Sequence, residues 1–212
     1  MRATTRTKAT VPLLAALALA AGATGARAQA LVLAPRAGVY VAGSDLGEVR
    51  RGLETVRAEL EGSFAVGFSA ELRPPASALG FRLGFDYATD SRVSPDGIRE
   101  DPEGGARLLG VAGDLVLRPP RLILVQPYVL AGAGVKRYDF ERDALEGGVR
   151  DAFPDEKTDF TLHGGAGLDV KLGPLALVAE LTDYASWFRF QNGEDRKLQN
   201  DVFATLGLRL GL

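Results

Sequence analysis

The chain has no cysteine, and only one histidine, one methionine and one tryptophan among its 212 residues. Without cysteine there is neither a disulfide framework nor a thiol mechanism. A single histidine, His163, leaves little material for catalysis by a nucleophile and its base. Long apolar runs are scarce too. The run at 13–21 is too short for a bilayer-spanning helix, which needs about 20 residues, and no second candidate exists. It follows Arg2, Arg6 and Lys8 and precedes the small-x-small stretches Ala26-Arg27-Ala28 and Ala28-Gln29-Ala30. Residues 1–30 therefore read as a secretion signal cleaved after Ala30, with Ala28 as the nearby alternative, and 31–212 as one domain. Of the 25 basic residues four lie in that signal, leaving 21 against 27 acidic ones. That acidic balance argues against nucleic acid as a partner.

What the chain does have is strict alternation. In 62–73, Phe64, Val66, Phe68, Ala70 and Leu72 fall on one face. Ser63, Ala65, Gly67, Ser69, Glu71 and Arg73 fall on the other, since a strand turns successive side chains to opposite sides. Similar segments are expected at 36–43, 79–88, 108–118, 122–138, 160–172, 175–184 and 201–212, which makes eight strands. Pro127 removes a ladder hydrogen bond from the fifth and predicts a bulge or a later start there. The connections alternate in length. Arg73-Pro74-Pro75, Arg118-Pro119-Pro120-Arg121 and Gly173-Pro174 are tight, whereas 44–61, 90–106, 139–159 and 185–200 are long and charged. A short helix is expected in 45–61 from the spacing of Leu46, Val49, Leu53, Val56 and Leu60.

Alternation with unequal loops predicts an all-β, eight-stranded antiparallel up-and-down transmembrane barrel, with short periplasmic turns and long outer loops. Its apolar faces would meet lipid. The other face would supply a lumen network of Arg82, Asp86, Asp114, Lys136, Asp169, Lys171, Glu180 and Arg209, both signs together, in an interior just wide enough for side chains to fill. Glycines on that face (Gly67, Gly84, Gly110, Gly132, Gly165, Gly167) suit a crowded interior. Tyr87, Tyr138, Tyr184 and Trp187 sit near the long-loop ends, where an aromatic girdle would lie. The rival is a secreted, soluble barrel of the lipocalin type carrying a small ligand, with the apolar faces turned inward. Loop carboxylates such as Asp139, Glu141 and Glu156 make divalent cations at the loops a secondary expectation, although no spacing matches a dedicated calcium loop.

The segment from Gln126 to Gly134, the stretch Gly164-Gly165-Ala166-Gly167-Leu168-Asp169 and the terminal strand resemble the small bacterial outer-membrane β-barrels of the OmpA-like and OmpW-like grouping. In the last strand Thr205, Gly207, Leu210 and Leu212 fill a pattern like the signal read by the barrel-assembly machinery, with Leu212 where the family usually has an aromatic. No peptidoglycan-binding domain is expected after the last strand. The resemblance implies the cell outer membrane, lipid as surroundings, the assembly machinery as a biogenesis partner, a monomer, and no cofactor or metal. Outer-membrane deacylases also have this shape, with a serine two residues after a strand histidine; here that place is Gly165, so no catalytic residue is assigned. The function expected is non-enzymatic: envelope integrity or surface interaction around a largely closed, charge-paired lumen. A narrow channel or lateral-exit transporter for small, hydrophobic solutes is the alternative, and a lateral opening would discriminate it.

Overall fold

The computed structural model describes residues 30–44, 47–51, 54–74, 76–95, 105–120, 124–141, 156–188 and 197–211. They form ten strands: β1 (Ala30–Ala42), β2 (Gly47–Arg51), β3 (Glu54–Leu60), β4 (Ser63–Arg73), β5 (Leu79–Pro95), β6 (Gly105–Leu117), β7 (Val125–Phe140), β8 (Glu156–Leu172), β9 (Leu175–Phe188) and β10 (Lys197–Gly211). Eight of these close a ring in the order β1-β4-β5-β6-β7-β8-β9-β10, every pair antiparallel. First and last strands close it, from Val32 opposite Gly211 to Ala42 opposite Asp201. Closure leaves the barrel no free edge, so backbone donors and acceptors are satisfied within the wall.

Burial shows which way the faces point. Leu79, Phe81, Leu83 and Phe85 of β5 are exposed, while the alternate residues Arg82 and Asp86 are fully buried. The same alternation runs round the barrel, with Phe64, Phe68, Leu115, Val129, Phe160, Leu168, Leu177, Leu181 and Leu206 all outside. An apolar surface of that extent on a water-soluble monomer would be a gross anomaly, but it suits hydrocarbon. The lipocalin-like alternative is overturned, because it needs these side chains inside and the charges outside.

Three short connections lie at one end of the barrel. Gly173, at φ 64°, makes the tightest of them; that left-handed backbone favours glycine. At the long-loop end the strands run further than the sequence suggests, β5 to Pro95, β8 from Glu156 and β10 from Lys197. The helix expected in 45–61 is not formed. β2 and β3 pair there as a hairpin, from Gly47 opposite Ala58 to Arg51 opposite Glu54, and β3 continues on the extended β5. The open edge of β5 supplies a ladder of backbone partners, and Val49, Thr55 and Val56 are β-branched, so tertiary pairing overrides the helical spacing. No bulge forms at Pro127, which lies opposite Leu168. β6 joins β7 only from Val129, so the proline falls where β7 has a partner on one side alone. Among the described residues there is no helix. The expected signal lies outside them apart from Ala30, which begins β1 opposite Arg73.

Candidate functional site

Among the described residues the lumen holds most of the buried charge, and every barrel strand contributes to it. Three tiers can be distinguished along the axis. Nearest the short turns, Arg118 lies just past β6 and keeps that strand's inward alternation. Its Nε and Nη2 donate to Glu71 at 3.0 and 2.8 Å, and its Nη1 to Asp169 at 2.6 Å. Arg209 binds the same two acids, donating to Glu71 at 3.0 Å and lying 3.4 Å from Asp169. The ring of Tyr128 packs beneath both guanidinium groups, 4.1 and 5.5 Å from its centroid, a cation–π arrangement.

The middle tier is joined to the first through the Tyr128 hydroxyl, which donates to Glu180. Arg36 and Arg82 both pair with Glu180. Arg36 also donates to Asp86 at 2.9 Å, and Arg82 lies 3.3 Å from Asp114. Tyr184 donates to the other oxygen of Asp86 at 2.8 Å. His163 Nδ1 is 2.6 Å from Asp114, and its ring packs 4.2 Å from that of Tyr184. Isolated charges at such burial would carry a large desolvation cost; multiple pairing offsets it.

Towards the long loops the lumen changes character. One fully buried ion pair, Lys136 with Asp201, stands there, with Lys157 and Asp159 paired at 3.4 Å nearer the mouth. Lys136 also donates to the carbonyls of Tyr184 and Gln199 at 3.1 and 3.4 Å. Tyr40, at 2.6 Å, and Tyr138 donate to the two oxygens of Asp201. Around and beyond them an apolar cluster of Leu60, Ala88, Ala106, Leu108, Phe140 and Phe203 is buried, with the uncharged polar Ser91, Thr161, Ser186 and Gln199 buried beside it.

Two inward glycines make room for rings. A Cβ at Gly167 would lie 2.3 Å from the Tyr128 ring, and one at Gly110 would lie 2.8 Å from that of Tyr184. Local sequence thus carves flat places in the wall on which the aromatic rings lie.

The residues expected in the lumen are brought together with one exception. Arg82, Asp86, Asp114, Lys136, Asp169, Glu180 and Arg209 are all buried inside. Lys171 is exposed at the end of β8; it has the right parity but stands at the mouth, and Arg118 holds the acids instead. Sequence reasoning missed the roles of Arg36, Glu71, Arg118 and Asp201. Alternation alone would have found Glu71, but Arg36 follows Pro35, and Arg118 adjoins two prolines and reads as turn.

The aromatic expectation requires a larger correction. Tyr138 and Tyr184 are fully buried in the lumen, because each shares the inward parity of its strand and a carboxylate takes its hydroxyl. Tyr87 and Trp187 face outward, and Phe64 and Phe160 join them there, with Trp187 51% and Phe160 64% exposed. Of the last-strand residues, Thr205 faces the lumen, Gly207 packs against Arg36, and Leu210 faces out; Leu212 lies outside the described residues.

Chemically the lumen offers His163 oriented by Asp114, with Nε2 buried and unpartnered. At Gly165 a Cβ would strike the Leu181 carbonyl 2.4 Å away, leaving no room for a serine. Among the described residues no cluster of three or more potential ligands is placed to hold a metal. Glu141 and Glu156 are engaged by Arg107 and Arg137, and most other loop carboxylates lie outside the described residues.

The model of a family described as outer membrane protein beta-barrel domain matches residues 14–209. No curated protein matches the sequence. Among solved structures, OprG from Pseudomonas aeruginosa is 16% identical, covering 89% of this chain and 98% of that one, with TM-score 0.57. Neisserial surface protein A is 15% identical over 85% and 96%, with TM-score 0.52. The outer membrane protein AlkL, solved in lipid bilayers, is 13% identical over 100% and 97%, with TM-score 0.50. At these identities the likeness is one of fold.

Proposed function

The chain belongs to the outer membrane protein beta-barrel family, and within it we propose a non-enzymatic barrel whose closed, charge-paired lumen serves envelope integrity or surface interaction. The observation that supports this reading is the double carboxylate clamp at the short-turn end. Arg118 and Arg209 each engage Glu71 and Asp169, across a lumen whose middle is filled by Arg36, Arg82 and Glu180. An eight-stranded barrel leaves little more space than such side chains occupy. On this reading the protein acts as a monomer in lipid. Thr205, Gly207, Leu210 and Leu212 present it to the assembly machinery, and divalent cations meet its outer loops. The test is ion conductance of the folded barrel in a planar bilayer. Wild type is expected to pass no steady current; a steady wild-type conductance would end the closed-lumen reading.

A second reading is favoured by the seam between β8 and β9. Their ladder stops at Leu162 opposite Ala185, although β8 begins at Glu156 and β9 reaches Phe188. At that point Thr161 Oγ1, at 2.9 Å, takes the Ala185 carbonyl. A parting at the outer end, beside the apolar cluster of the upper lumen, suits lateral exit of a small hydrophobic solute into the membrane. Uptake of a fluorescent alkane-chain probe by cells with and without the protein tests it; equal uptake would sink it.

A further inference from the structure

Just below the parted seam, the outside of the barrel has a notch of about 510 Å³. Its outward walls are Leu162, Ala166, Leu181, Ala185 and Val202, and its floor is the pair Gly164 opposite Asp183. Asp183 has the parity of the exposed Leu181 and therefore faces the lipid side. Its carboxylate accepts a hydrogen bond from the Asp201 backbone N–H and feels Lys136 and His163 only through the wall, its Oδ1 is buried without a partner, and among the described residues no cation forms an ion pair with it. Aspartate on a lipid-facing wall is costly and marks a functional site by default.

Depth limits what could satisfy it. Asp183 stands four residues in from Trp187, whose strand neighbour Leu198 and nearby Phe160 are also exposed. At about 3.3 Å per residue and a tilt near 40°, that places the carboxylate roughly 10 Å below this apolar belt. Headgroup ammonium and phosphate stay above it. A hydrogen-bond donor at acyl depth has to be carried on the acyl chain itself.

We propose that this notch seats a hydroxylated acyl chain of an outer-leaflet lipid. The chain lies along Leu162, Ala166, Leu181 and Val202, and its hydroxyl donates to the Asp183 carboxylate. The glycine opposite Asp183 keeps the approach open: a Cβ at Gly164 would meet only the Leu130 carbonyl oxygen, at 3.8 Å. Behind the notch the β8–β9 ladder is continuous down to Leu172 opposite Leu175, so it is a dent in the wall and not a hole. The inference rests on the barrel's place in the membrane and is independent of whether the lumen conducts.

The test uses the folded barrel in nanodiscs of dimyristoyl phosphatidylcholine. These are doped with a phospholipid bearing a tetradecanoyl chain hydroxylated near its middle, at the depth of the carboxylate, or with its plain tetradecanoyl counterpart, and retained lipid is read by native mass spectrometry. Wild type is expected to retain the hydroxylated lipid about tenfold over the plain one, the worth of one hydrogen bond to a charged group. Asp183→Leu should abolish that preference. Gly164→Leu, which fills the notch and leaves the carboxylate in place, should lower retention of both lipids. Faster migration of unboiled protein on a gel checks that each variant is folded, and the outward position of both residues keeps them clear of the lumen. Equal retention of the two lipids by wild type would overturn the proposal, as would a preference surviving Asp183→Leu. A two-barrel species lost on Gly164→Leu would also overturn it, since the occupant would then be a second copy of the chain.

Discussion

The two halves of the lumen are held closed by different means. Near the short turns, four charged groups share bonds so that Glu71 and Asp169 each meet two arginines. Near the long loops, one carboxylate is shared by three groups: Asp201 holds Lys136, Tyr40 and Tyr138, and apolar side chains with a few uncharged polar ones fill much of the remaining space. The lower clamp is redundant, whereas the Lys136 cluster above depends on a single carboxylate. Removing any one arginine below leaves each acid with a partner, whereas removing Asp201 takes away the one carboxylate that Lys136, Tyr40 and Tyr138 share.

The largest effect should therefore come from Asp201→Ala. Stranding Lys136 is expected to cost about 3–5 kcal/mol, read as a fall in the urea midpoint of the barrel in lipid vesicles. Replacing both partners, Lys136→Met with Asp201→Leu, should recover most of that loss; if the double variant is as unstable as the single, the ion pair is not what matters there. Arg118→Ala should cost less, about 1.5–3 kcal/mol for its charge-assisted bonds, because Arg209 remains on both acids. Removing both arginines, Arg118→Ala with Arg209→Ala, should introduce ion conductance, and unchanged silence in a planar bilayer would show that the clamp is not what closes the lower lumen. Gly167→Ala drives a methyl into the Tyr128 ring and should cost about 1–3 kcal/mol by overpacking, seen in the same urea titration. The smallest effect is expected from Tyr138→Phe, about 1 kcal/mol for one hydrogen bond, since Tyr40 and Lys136 still engage Asp201. A loss as large as that of Asp201→Ala would show the tyrosine, and not the carboxylate, to be the centre of the upper half.

The parts legible in sequence and the parts that were not differ in a physical way. Facing could be read residue by residue, because the period of a strand is two and needs no tertiary information: Phe81 out and Arg82 in follow from their order alone. Partnership could not. Arg118 reads as a turn residue beside Pro119 and becomes a lumen clamp only because Glu71 and Asp169 arrive from strands 47 and 51 residues away. Tyr138 and Tyr184 read as girdle by their position near strand ends, yet their parity and the acids opposite turn them inward. The expected helix in 45–61 failed for a related reason, since the edge that captured β3 belongs to β5.

By itself, then, the order of residues determined that this chain is a closed ring of eight antiparallel strands with a lipid-side face and a charged face, because alternation and loop length are local properties of the chain. Only the tertiary structure decided which charges meet, that the lower lumen is doubly clamped while the Lys136 cluster above hangs on Asp201, and that Asp183 stands in a lipid-facing notch. Those outcomes depend on the register between strands, which brings residues far apart in sequence to the same height of the barrel.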